Sequence, residues 1–172
     1  MNPPQTRRIR PTLFLIGEGG TEVAFLKYLR SVYCKDNAGV EVTIKNANGK
    51  GPTYIINKAV KLTRNIDYDC RVVLLDTDVP WTDKDKKLAK KKEINLVGSS
   101  PCIEGLFLLI LNKPVLTRSE DCKAAIKKLL PSFDLLDWKN YASYFSKEVL
   151  EEARARIPEL NRLIEYFVGI SK

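Results

Sequence analysis

The sequence predicts one α/β domain over residues 1–172, with a mostly parallel sheet, flanking helices and a helical C-terminal tail. Three observations predict it. Strand-like and helix-like segments alternate from Thr12 to about Leu111. The nearly continuous apolar run Val72–Leu75, bounded by polar residues, suits a central strand covered on both faces. Beyond Pro114 the pattern becomes mainly helical. Alternation of this kind indicates a doubly wound sheet, which binds ligands at the carboxyl ends of its strands.

The elements follow in chain order. A basic leader, 1–10, precedes a core spanning 12–112 and a helical extension over 115–172. Thr12–Gly17 reads as a buried first strand, and Glu18-Gly-Gly-Thr21 as a turn into a helix from Glu22 to about Tyr33, where Val23, Leu26, Leu29 and Tyr33 share a face. Gly39–Ile44 alternates apolar and polar residues and ends in a loop rich in Asn and Gly. Tyr54–Leu62 predicts a second helix, Cys70–Leu75 the central strand, the lysine-rich stretch after Trp81 a surface helix, and Ile94–Val97 a short strand. With Ser100 as N-cap and Pro101 in the first turn, a helix is expected from Cys102 to about Leu111. The tail predicts helices at Ser119–Leu130 and at Lys147 to about Val168. In the latter, Leu160, Leu163, Ile164, Phe167 and Val168 form an apolar stripe that should dock on the core.

Composition narrows the chemistry. A chain of 172 residues with 44% hydrophobic and 29% charged residues suits one globular core. Its apolar runs fall far short of the roughly 20 residues a membrane span needs. No signal-peptide pattern follows the leader, so a cytoplasmic protein is expected. Cys34, Cys70, Cys102 and Cys122 form no C-x-x-C pair, and there is no histidine. A local zinc motif is therefore absent, and proton transfer falls to carboxylates, lysines or metal-activated water. The formal charge of +8 favours an anionic partner such as nucleic acid. The densest run, Lys84–Lys92, suits equally the solvated face of a helix.

Three acids fall where a doubly wound sheet would bind a ligand: Glu18 after the first strand, and Asp76 and Asp78 after the central one. Residues two apart in an extended chain face the same way, so both aspartates can turn to one hard cation. Mg²⁺, or Mn²⁺, takes carboxylate oxygens, waters and substrate phosphates, and suits this set better than zinc or copper. Asp76 and Asp78 also suit turn formers or caps, and Gly19 and Gly20 can simply permit a strand-to-helix turn. Glu22 is read as a first-turn acid favoured by the helix dipole. Glu104 sits one place beyond the capping-box position set by Ser100, which favours a functional role. Tyr141, Tyr144 and Phe145 are read as packing.

Gly17-Glu-Gly-Gly-Thr-Glu22, Leu75-Asp-Thr-Asp78 and Ser100-Pro-Cys-Ile-Glu104, followed by Leu108-Leu109, resemble in order and spacing the motifs of RloB-like proteins. These are Toprim-like proteins found among bacterial restriction and phage-defence genes. The resemblance spans about Leu13–Leu111 and implies a compact Toprim-like (Rossmann-like) fold. It further implies that Glu18 assists proton transfer or metal binding, that Asp76 and Asp78 coordinate Mg²⁺, and that Glu104 joins the site. RNA or DNA is the implied substrate. Where family members commonly carry an aromatic residue before that glutamate, a Trp after it and a closing His, this chain has Ile103, Leu106 and Ile110.

The leading expectation is thus a Mg²⁺-dependent nuclease in anti-phage defence, with a possible protein partner from the same locus and no membrane association. The alternative is a non-catalytic binding or sensor module of the same fold. A nucleotide enzyme ranks last, because G-E-G-G-T-E lacks both the dinucleotide fingerprint and the G-K-[ST] of a P-loop.

Overall fold

In the computed structural model, the described residues are 10–34 and 39–169, so the basic leader apart from Arg10 lies outside them. Among these residues four strands, β1 (Thr12–Gly17), β2 (Glu41–Asn46), β3 (Cys70–Asp76) and β4 (Ile94–Ser99), form one sheet in the order β2-β1-β3-β4. Every pairing is parallel. Parallel neighbours need crossovers, and α1 (Gly20–Tyr33), α2 (Gly51–Thr63) and α3 (Asp83–Lys91) supply them. This is the mostly parallel α/β sheet with flanking helices that the alternation predicts.

The two-residue period of the strands sorts the core into two layers. Leu13, Leu15, Val72 and Leu74 face α1 and the helices of the second half, whereas Phe14, Ile16, Val73 and Leu75 face α2 and α3. The first layer is larger. It takes in α4 (Ile103–Ile110), α5 (Ser119–Leu129), α6 (Lys147–Arg154), α7 (Pro158–Val168) and the 3-10 helix Trp138–Ser143. Phe25, Phe107, Tyr141 and Phe145 meet there with ring centroids 5.2–6.0 Å apart, and Tyr141 and Phe145 are fully buried. Their reading as packing residues holds.

Two segments differ from expectation. The tail helix is broken into α6 and α7, because Pro158 offers no N–H to continue α6 and instead occupies the first turn of α7. Val168, the last residue of the stripe, is exposed. The helix after β4 begins later than the Ser100 cap implied: Cys102 is its N-cap, and Ser100-Pro101, a cis peptide, forms the turn before it. The Pro101 carbonyl there accepts the N–H groups of Thr77 and Asp78 at 3.1 and 3.0 Å, so this turn is fastened to the end of β3. Gly105 permits the approach, since a Cβ at that position would stand 2.5 Å from the Ser100 oxygen.

Among the described residues no helix is long and apolar enough to cross a membrane. All four cysteines are free thiols, Cys102 and Cys122 buried and Cys34 and Cys70 half-buried.

Candidate metal and phosphate site

β1 leads by α1 to β2 on one side, and β3 leads by α3 to β4 on the other, so the chain diverges between β1 and β3. Such a switch point opens a crevice at the carboxyl ends of the two strands. Glu18 and Asp76 stand at its two sides. The Asp76 N–H donates to Glu18 Oε2 at 3.2 Å, and the Glu18 N–H donates to the Leu74 carbonyl at 3.2 Å, which ties the two strand ends together.

Each acid is held differently. Asp76 is half-buried and accepts the Ser99 hydroxyl on Oδ1 at 2.9 Å. Asp78 is exposed and accepts the Ser119 hydroxyl on Oδ2 at 2.6 Å. The strand ends at Asp76, so the period-two argument does not place Asp78; the Pro101 carbonyl and Ser119 do. Glu104 lies in the first turn of α4 and is only 5% exposed, and its Oε2 is a buried oxygen with no hydrogen-bond partner among the described residues.

Glu22 belongs to the same group. Its reading as a first-turn acid is sound as far as it goes, because its Oε2 accepts the Gly19 N–H at 2.9 Å as the reciprocal half of a capping box. It is also 5% exposed and lies among the other carboxylates. Gly17 makes this possible, since a Cβ there would stand 2.7 Å from that of Glu22.

The electrostatics follow from burying like charges together. Burial, then the neighbouring Glu22, Glu18 and Asp78 carboxylates, push the Asp76 carboxyl up to about 8, against a lowering by the Ser99 hydroxyl. Burial raises Glu22 too, with Glu104 and Glu18 adding to it. Burial and the adjoining Glu104 push the Cys102 thiol up to about 12, so it is no thiolate nucleophile. Lys123 of α5 answers part of this charge. Burial alone would lower Lys123 of α5, but Glu104, Cys102, Asp76 and Asp78 outweigh it and raise its pKa.

Glu22, Ser99, Ser119 and Lys123 are the site residues that sequence reasoning missed. Only Glu22 left a signal there, since it lies within the Gly17–Glu22 motif. Ile103, Leu106 and Ile110, at the positions where the family motif has other residues, are all core.

The fit to a divalent ion can be judged from these donors. Among the described residues no three His, Cys, Asp or Glu side chains form a ready-made cage. Mg²⁺ requires less, one or two carboxylates with waters and substrate phosphates completing its shell. The donors are all carboxylate oxygens, the nearby Glu104 Oε2 is buried without a partner among the described residues, and Asp76 is disfavoured as an anion by burial and by neighbouring carboxylates, both of which a bound cation would offset. The chemistry of these donors fits such an ion.

These features define a parallel α/β domain with an acidic crevice at its switch point. Residues 13–165 match the model of the family described as RloB-like protein, and the chain belongs to that family. The resemblance read from the Glu18, Asp76 and Glu104 motifs is thereby borne out. The chain is also similar to the C-terminal region of the Xanthomonas campestris pv. campestris OLD protein, at 17% identity over 96% of this chain and 88% of that one, with a TM-score of 0.37. No curated protein matches it.

Proposed function

We propose that the chain is a metal-dependent nuclease, using Mg²⁺ or Mn²⁺ to cleave phosphodiester bonds in RNA or DNA, with a role in anti-phage defence. The observation that carries this reading is the gathering of Glu18, Glu22, Asp76, Asp78 and Glu104 around one crevice, where burial, and then the neighbouring carboxylates, push Asp76 up to about 8. Structural carboxylates are normally dispersed or paired, so unbalanced charge in a cleft marks a functional site. Family membership and the Toprim-like resemblance point the same way.

Asp76, Glu18 and Asp78 would hold the ion, which would supply Lewis-acid stabilisation of charge developing on the phosphate and lower the pKa of water. Ser99 and Ser119 orient the two aspartates. Glu104, buried without a partner on Oε2, can take a proton at that atom. Lys123 faces the carboxylates from α5 and can neutralise a phosphate oxygen entering between them. With no histidine in the chain, these groups carry the proton transfer.

The +8 charge equally suits a module that binds nucleic acid without cutting it. Incubation of the purified chain with labelled tRNA, single-stranded RNA and plasmid DNA in Mg²⁺, Mn²⁺ or EDTA separates the two. Cleavage that requires metal and vanishes in Asp76→Ala/Asp78→Ala supports the nuclease. Binding without cleavage on every substrate supports the binding module.

A further inference from the structure

The loop from β2 to α2 stands beside the carboxylates, and nothing above uses it. Its Gly49 N–H donates to the Glu18 carbonyl at 2.8 Å, which fastens the loop to the residue following β1. Four consecutive residues, Asn48, Gly49, Lys50 and Gly51, have φ of 62°, 74°, 79° and 78°. Glycine adopts such values freely, whereas Lys50 does so only against steric resistance. Backbone conformations of this kind gather at functional loops.

This loop delivers α2 with Lys50 as its N-cap, without a side-chain cap and without an acid in the first turn. The positive end of the helix and the lysine charge therefore add. On the same turn Tyr54 is 39% exposed, with Lys50 Nζ 5.1 Å and Lys58 Nζ 5.8 Å from its ring centroid. Lys58 also donates to the Ala47 carbonyl at 2.9 Å, which fixes its ammonium at the root of the loop. Thr53 donates to Asp85 Oδ1 at 2.6 Å, so the lysine-rich α3 begins beside the same turn.

An exposed ring between two ammonium groups contributes little to the core. It matches closely what a single nucleic-acid strand requires, a π-face for a base and cations for the phosphates on either side. We propose that Tyr54, flanked by Lys50 and Lys58, is a stacking platform for an unpaired base of the nucleic acid whose phosphodiester lies at the carboxylates. The inference rests on the proposed function for the identity of that site, and the loop that carries Lys50 is hydrogen-bonded to the backbone of Glu18.

The test measures fluorescence anisotropy of short labelled RNA and DNA oligonucleotides, single-stranded and duplex, against the full chain in EDTA, where no metal-dependent cleavage occurs. Tyr54→Ala is expected to weaken single-strand binding by at least about fivefold. Tyr54→Phe, which keeps the ring, should bind within about twofold of wild type. Lys50→Ala should lower the salt slope of single-strand binding by about 0.7. A 2-aminopurine base in the strand should be quenched by wild type and Tyr54→Phe but not by Tyr54→Ala, a readout that a merely structural defect would not divide in this way. The tighter of the RNA and DNA arms names the strand.

Unchanged binding in Tyr54→Ala, equal loss in Tyr54→Phe, equal Tyr54 dependence on duplex, or no binding by wild type would each overturn the platform. Binding through Tyr54 without any cleavage in Mg²⁺ or Mn²⁺ upholds the platform and overturns the nuclease. Cleavage indifferent to Tyr54 does the reverse.

Discussion

The two ends of the sheet make a useful contrast. At the amino ends of β3 and β4 lies a cleft of about 530 Å³, lined by Asp67, Asp69, Arg71, Lys86, Lys90 and Glu93 among others. It is larger than the cleft of about 370 Å³ beside Glu104 and Lys123 near the carboxyl ends. In the larger cleft the charges balance in number, Asp67, Asp69 and Glu93 against Arg71, Lys86 and Lys90, with Arg71 pairing with Asp67 at 3.7 Å and Asp69 accepting both the N–H and the hydroxyl of Thr12. At the carboxyl ends five carboxylates crowd together, facing Lys123. Unbalanced charge, and not the size of a cleft, distinguishes the end where chemistry is proposed.

The sharpest way to break this contrast is substitution at either end. Asp76→Ala/Asp78→Ala should lower metal-dependent cleavage by about 10²-fold or more, the scale of losing preorganised charge stabilisation. Lys90→Ala and Glu93→Ala should leave cleavage within about twofold. Equal losses at both ends, measured on the preferred substrate, would erase the distinction.

A smaller effect concerns stability. If the site holds Mg²⁺, the ion at a hundred times its dissociation constant should stabilise the folded chain by about 2.7 kcal/mol. For a chain of this length that should raise the melting temperature by about 5–10 °C. The shift should be absent from Asp76→Ala/Asp78→Ala and unchanged in Arg71→Ala.

How far this site could be read from sequence depended on locality. Glu18, Asp76 and Asp78 were legible because strand ends can be located from an apolar run and the polar residues that close it. Ser119 and Lys123 were not, because nothing local reveals that α5 packs its first turns beside the end of β3. The parallel sheet was legible from alternation, whereas the break at Pro158 was hidden by an apolar stripe continuing on both sides. The Ser100 cap failed because tertiary hydrogen bonds to the Pro101 carbonyl outcompeted a local rule.

Titration sharpens the contrast without metal. The folded state holds Asp76 raised from 3.8 to about 8, so the protonated form is favoured by folding. This stabilisation is fully present below the unfolded value and is lost as pH rises through about 8. In EDTA, Asp76→Asn should gain stability relative to wild type between pH 5 and pH 9, as read by urea unfolding. A difference that stays flat across this range would remove the claim of crowded charge. The smallest effect belongs to the amino end, where Asp67→Asn should leave urea unfolding unchanged, because the Asp67 side chain is fully exposed and its pairing with Arg71 is screened by solvent.

The central claim, that the carboxyl-end acids form a divalent-ion site, is tested most directly by calorimetric titration of Mg²⁺ at pH 7 in two buffers of different ionisation enthalpy. Because Asp76 is mostly protonated at that pH, binding should release close to one proton per ion, and Asp76→Asn should release almost none. Binding without proton release, release unaffected by Asp76→Asn, or no binding at millimolar Mg²⁺ would contradict the account.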